Sequence, residues 1–142
     1  MGGSYRVDGL ATAAGLSVLH ELMARVRGDH PEVAELDLAM LETAVIEIAG
    51  NVVEHGTPPG GLRFQLALEV TDDALAATLV DTGDPLPSVS TDPQDVLAES
   101  GRGLQMVHAV LTELRYERRA GTNVWSMARA RTPAREDEVQ AG

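Results

Sequence analysis

The stretch Glu47-Ile-Ala-Gly-Asn51-Val-Val-Glu-His55-Gly56 decides how this chain reads. It sets a carboxylate, a carboxamide and an imidazole four residues apart. At about 100° per residue, each step of four advances a helix face by only about 40°, so Glu47, Asn51 and His55 form one slanting polar stripe. Leu38, Leu41, Val45, Ile48 and Val52 recur at spacings of three and four on an adjoining face. The pattern predicts an amphipathic helix that packs by an apolar seam and carries the polar stripe along its flank. Such a stripe reads equally as a solvated face or as a site. Asn51 favours a site, because asparagine in mid-helix competes with the backbone for hydrogen bonds and is a mediocre helix former.

Working outward, Asp37 reads as the N-cap of this helix, and Gly56 followed by Pro58, Pro59, Gly60 and Gly61 stops it. Upstream, a short strand is predicted around Tyr5 to Val7. A helix follows from about Thr12 to Arg27, on which Leu16, Leu19, Leu22, Met23 and Val26 recur at helical spacing before Gly28 and Pro31 break it. Downstream, Leu62 to Val70 alternates as a strand, Asp72-Asp73 turns, and Leu75 to Val80 forms a second strand that delivers Asp81 at its end.

From Gly83 to Gly101 the sequence turns to Asp, Pro, Ser and Thr with little periodicity beyond a short turn at Val96 to Ala98. A loop of this length in a compact domain is usually functional, and a lid over the helix layer is expected. Gly103 opens another helix with Leu104, Val107, His108 and Leu111 inward. Leu114 to Glu117 and Thr122 to Ala130 read as two strands joined at Arg119-Ala120-Gly121. The polar tail from Pro133 to Gly142 is expected to be disordered. The order of elements predicts one α/β (α+β) domain over 1–132: a two-layer sandwich with an open, mostly antiparallel sheet and helices on one face.

Composition removes several functions. With 22 acidic against 11 basic residues the formal net charge is −11. A surface of that sign repels a phosphate backbone, so direct nucleic-acid binding is not expected. All the basic residues are arginine, and without lysine there is no Walker-type phosphate loop. The absence of cysteine excludes disulfides and thiolate chemistry. No run approaches the roughly 20 apolar residues of a membrane span, nor is there a secretory leader, which predicts a cytoplasmic protein.

Two glycine-bearing segments bear on the polar stripe. Asp81-Thr82-Gly83 lies where a strand ends; an ionised carboxylate there can accept from an exocyclic amine, and glycine lets the backbone approach a flat ring. Alone, it reads as a simple strand-to-turn exit. Gly101-Arg102-Gly103-Leu104 begins the next helix, whose free N–H groups suit an anion.

Taken together, in this order and spacing, the three segments resemble the nucleotide-binding boxes of the GHKL (Bergerat-fold) ATPase superfamily. Within it, the chain looks most like the bacterial anti-sigma-factor serine kinases, over roughly Tyr5 to Ala130. The resemblance assigns the N box to Glu47, Asn51 and His55, the first glycine box to Asp81 and Gly83, and the second to Gly101, Arg102 and Gly103. A later Gly-Thr matches Gly121 and Thr122.

It implies ATP and Mg²⁺ as cofactors, with Asn51 as the metal ligand and Glu47 as the general base toward a partner's serine. Asp81 would read the adenine amine with Thr122 nearby. Gly101, Gly103 and Leu104 would offer amides to the phosphates, and Arg102 would add charge. His55 either hydrogen-bonds within the site or caps the helix end, the second being favoured. The implied partners are a sigma factor and an anti-anti-sigma (STAS-like) protein, with a homodimer expected. The chain departs from the family in two places: Asp84-Pro85 stands where a second glycine is common, and Gln105 follows Leu104 where another glycine is common. The alternative is a non-catalytic protein-binding module with degenerate or structural nucleotide binding.

Overall fold

The computed structural model describes residues 2–10, 12–55, 63–83 and 102–133, with positions 54, 55 and 102–104 described by their backbone alone. The glycine-proline stop after His55, the expected lid at 84–101 and the tail beyond Pro133 lie outside the described residues. In chain order the elements are β1 (Gly3–Leu10), α1 (Ala13–Asp29), α2 (Glu35–His55), β2 (Arg63–Val70), β3 (Ala74–Asp81), α3 (Arg102–Val110), β4 (Glu113–Arg119) and β5 (Thr122–Ala130).

The five strands form one antiparallel sheet in the order β1-β2-β3-β5-β4. Alternation dictates its two faces. Phe64, Leu66, Leu68 and Val70 on β2, Leu75, Ala77 and Leu79 on β3, and Trp125 and Met127 on β5 point to one side and are buried. Against them α1 supplies Leu19, Met23 and Val26, and α2 supplies Leu38, Leu41, Val45 and Ile48. Each fully buried aliphatic side chain of this size is worth about 1.5–3 kcal/mol, so the aliphatic core substitutes for scarce aromatics. This is the two-layer arrangement predicted from the order of elements.

β1 is longer than the sequence predicts. All eight of its residues pair with β2, from Gly3 opposite Val70 to Leu10 opposite Arg63. Its apolar signal is weak because glycines occupy inward positions: a Cβ at Gly9 would lie 2.8 Å from the Phe64 ring. At the far edge, β4 carries Glu113, Arg115, Glu117 and Arg119 on the outer face, where Arg115 pairs with Glu113 and Arg119 with Glu117.

Asp37 does not cap α2. The helix begins two residues earlier, and Asp37 is completely buried in its first turn. Its Oδ1 accepts from Arg129 Nε at 2.9 Å and its Oδ2 from the Thr132 backbone N–H at 2.7 Å, with the Thr132 hydroxyl donating to Oδ1 at 3.1 Å. The same guanidinium donates through Nη1 to the Val110 carbonyl at 2.6 Å. Arg129 thus ties the start of α2, the end of α3 and the end of β5 into one corner. Burial alone pushes the Asp37 carboxyl up, but the hydrogen bonds from Thr132 and Arg129 overcome it and hold the group below its ordinary range.

Asp37 therefore stabilises the fold fully above the ordinary carboxylate pKa of about 3.9, and that contribution is lost as pH falls through this value toward the lower folded-state one. Asp37→Asn is expected to cost about 3 kcal/mol at neutral pH, the low end for breaking a buried pair because Arg129 is one-fifth exposed. Urea unfolding between pH 7 and pH 3 checks both parts: the variant should show the flatter acid dependence. Two helix glycines should respond with opposite signs. A Cβ at Gly15 would meet the Leu10 carbonyl oxygen at 2.0 Å, so Gly15→Ala should cost about 1–3 kcal/mol. Among the described residues nothing lies within 4 Å of a Cβ at Gly50, and Gly50→Ala should stabilise by about 0.5–1 kcal/mol in the same assay.

Candidate functional site

The Arg129 corner fixes which end of the molecule holds the polar stripe. Arg129 lies opposite Leu75 at the start of β3. From Asp37, α2 rises about 21 Å to Asn51, and from Leu75, β3 rises about 20 Å to Asp81. Because α2 packs along β3 and β5, Asn51 and Asp81 reach the same end of the sandwich. α3 packs on α2 and ends at the anchored corner, so its N-terminal turn at Arg102 and Gly103 faces the Asn51 end as well. A helix N-terminus presents unpaired N–H groups there.

Glu47 and Asn51 are half-buried on α2, one turn apart. The Asn51 amide donates through Nδ2 to the Glu47 carbonyl at 2.8 Å. With Nδ2 donating to its own helix, Oδ1 accepts no hydrogen bond among the described residues and is a hard neutral oxygen of the kind that suits Mg²⁺. The residues present therefore fit a divalent cation carried in with phosphate oxygens.

Asp81 is the last residue of β3 and lies in the inward row with Leu75, Ala77 and Leu79, 2 % exposed. Its Oδ1 accepts from the Gly83 N–H and from Asn123 Nδ2, each at 2.9 Å. Both bonds fall on Oδ1, and among the described residues nothing donates to Oδ2, which leaves it as the acceptor available to a ligand amine. Asn123 is the register partner of Asp81 on β5 and is 5 % exposed. Its Oδ1 accepts from the Tyr116 hydroxyl at 2.5 Å and from Arg118 Nη1 at 3.2 Å. That guanidinium nitrogen also donates to the Gly83 carbonyl at 2.6 Å. Side chains thus hold both backbone groups of Gly83.

Asp81 and Gly83 are brought together with this network, and Glu47 and Asn51 share their end of the fold. Thr122 is not brought to Asp81. It stands one residue before Asn123 on β5, so alternation turns it to the outer face, where its hydroxyl donates to the Arg119 carbonyl at 2.7 Å. Gly101 and the side chains of His55, Arg102 and Leu104 lie outside the described residues. Asn123, Tyr116 and Arg118 escaped the sequence reading. A signal was present: asparagine, a poor strand former, stands in the inward row of Trp125 and Met127.

Residues 10–129 match the sequence profile of the histidine kinase-like ATPase domain. The chain belongs to that family. Membership of the histidine kinase-like ATPase domain family implies ATP as the nucleotide, which agrees with an acceptor carboxylate and a carboxamide oxygen at one end of the sheet. No curated protein matches the chain. Among solved structures it is similar to the RsbU and RsbW domains of Rv1364c from Mycobacterium tuberculosis, with a TM-score of 0.60 and 24% identity. The match covers 94% of this chain and 34% of that one, so the chain spans about a third of the solved polypeptide. At that identity the likeness bears on the fold. Among the described residues no helix is long and apolar enough to cross a membrane.

Proposed function

We propose that this histidine kinase-like ATPase domain is a protein serine kinase that transfers phosphate from ATP to an anti-anti-sigma (STAS-like) partner and, in its other state, sequesters a sigma factor, acting as a homodimer. The observation that carries the reading is Glu47 one helical turn before Asn51, with the Asn51 amide turned back onto the Glu47 carbonyl. This arrangement keeps a carboxylate and a metal-binding oxygen side by side on one rigid element. The box pattern of the anti-sigma-factor serine kinases and the RsbW domain in the solved neighbour support the partner class.

In this reading Asp81 accepts the adenine amine at Oδ2 and Asn51 offers its Oδ1 to Mg²⁺. The ion supplies charge neutralisation across the phosphate oxygens. Gly103 and Leu104 direct backbone N–H groups at the phosphates from the first turn of α3, and the box pattern adds the Gly101 amide and the Arg102 charge, which lie outside the described residues. Thr122, on the outer face, supports the turn before β5. Glu47 accepts the proton of the partner's serine hydroxyl while the serine oxygen bonds to the γ-phosphorus in line. The bond from that phosphorus to the bridging oxygen breaks, and the electron pair leaves on ADP.

A second reading, a binding module without catalysis, draws on Asp84-Pro85 in the first glycine box, which adds negative charge and rigidity where a second glycine is common.

Transfer of labelled γ-phosphate to a cognate STAS-like protein tests the proposal. Glu47→Gln is expected to slow transfer by about 10²–10⁴-fold while Mg-ATP affinity stays within a few fold. Asn51→Ala should instead weaken binding and remove its Mg²⁺ dependence, read by calorimetry with and without the ion. Absence of binding at millimolar Mg-ATP would favour the second reading, and transfer unaffected by Glu47→Gln would remove that residue as the base.

A further inference from the structure

The polar cluster behind Asp81 is built in one direction only. Asn123 Oδ1 receives two donors, the Tyr116 hydroxyl and Arg118 Nη1, so the amide is locked with its oxygen toward them and its NH₂ toward the Asp81 carboxylate. The reverse amide orientation would set an oxygen against a carboxylate and an NH₂ against two donors. Asp81 Oδ1 is in turn pinned by Asn123 Nδ2 and the Gly83 N–H, and the Gly83 carbonyl by Arg118. All of this lies in the inward row, where Asp81 and Asn123 are almost fully buried and a hydrogen bond to a charged group is strong. The result is a carboxylate whose rotation about its terminal torsion is removed before any ligand arrives.

From this geometry we infer that Asn123 is the positioning residue for base selection. It fixes the Asp81 carboxylate so that Oδ2 alone is aimed at a 6-amino group, and Tyr116 and Arg118 fix Asn123. The inference rests on the proposed reading of adenine by Asp81. It adds that selectivity for a 6-aminopurine is a property of the β4–β5 pair as much as of β3. An adenine whose amine finds a preoriented acceptor gains a full hydrogen bond. A purine lacking the amine leaves that buried carboxylate oxygen unpaired, which is where discrimination of this type arises.

The test compares Mg-ATP with the Mg-complex of purine riboside triphosphate, which differs only by lacking the 6-amino group, by equilibrium binding to the full chain. Wild type should prefer ATP by about 10-fold or more. Asn123→Ala should bring that ratio to within about 3-fold of unity, through loss of ATP affinity with purine riboside triphosphate affinity little changed. A loss confined to the folded fraction would lower both ligands together and leave the ratio intact. Tyr116→Phe keeps the ring that packs at 4.8 Å on Trp125 while removing one donor to Asn123. It should give an intermediate ratio and serves as the folded control. An ATP preference undiminished in both variants would overturn the positioning role while leaving Asp81 as the reader. Equal affinities in wild type would overturn the reading by Asp81 itself and this inference with it.

Discussion

The guanidinium of Arg129 is the constraint around which the helical layer is arranged. It reaches Asp37 with one nitrogen and the last carbonyl of α3 with another. A buried carboxylate left without such partners would be costly, so the start of α2 is held wherever β5 carries Arg129. Because β5 is zipped to β3 in a fixed register, the position of α2 along the sheet is fixed too. The polar stripe and the inward carboxylate then arrive at one end of the sandwich by arithmetic of rise per residue. An ion pair at one end thereby sets the site at the other.

Both ends of the aliphatic core are closed by buried carboxylates held in place by hydrogen bonds, but they differ in what they leave over. At the Arg129 corner, both Asp37 oxygens are occupied by Thr132 and Arg129. At the Asp81 end, Asn123 Nδ2 and the Gly83 N–H both fall on Oδ1, and among the described residues nothing donates to Oδ2. The first is a structural closure and the second has the form of a receptor. Each accepts hydrogen bonds across long sequence separations, and the chemistry differs only in how the donors are distributed over the two oxygens.

Most of the architecture was legible because it is written in periodicity. The alternation of β2 and β3, the three-four spacing on α1 and α2 and the order of elements needed no long-range information, and the two-layer antiparallel fold follows from them. Asp37 was misread because an aspartate near a helix start looks the same whether it caps its own helix or accepts from a strand 92 residues away. The extent of β1 was hidden by inward glycines at Gly3 and Gly9, whose space is filled by His30 and Phe64 rather than by side chains of their own. Glu47 and Asp81 drew their meaning from the order and spacing of the three segments, and Asn51 stood out as a residue type that needs a reason in mid-helix. Asn123 did not, since its meaning depends on register: pairing Asp81 with position 123 rather than 122 decides which side chain meets the carboxylate.

The charged edge formed by β4 has a consequence for the protein at high concentration. Its outer row runs Glu113, Arg115, Glu117, Arg119, alternating in sign. Copies stacked on this strand in parallel register would lay glutamate on glutamate and arginine on arginine at the close spacing of a cross-β ladder, where like charges repel. Fibrillar growth from that side is therefore opposed by the sequence of the edge itself, at no expense to the inward residues Tyr116 and Arg118 on which the opposite surface of the same strand depends.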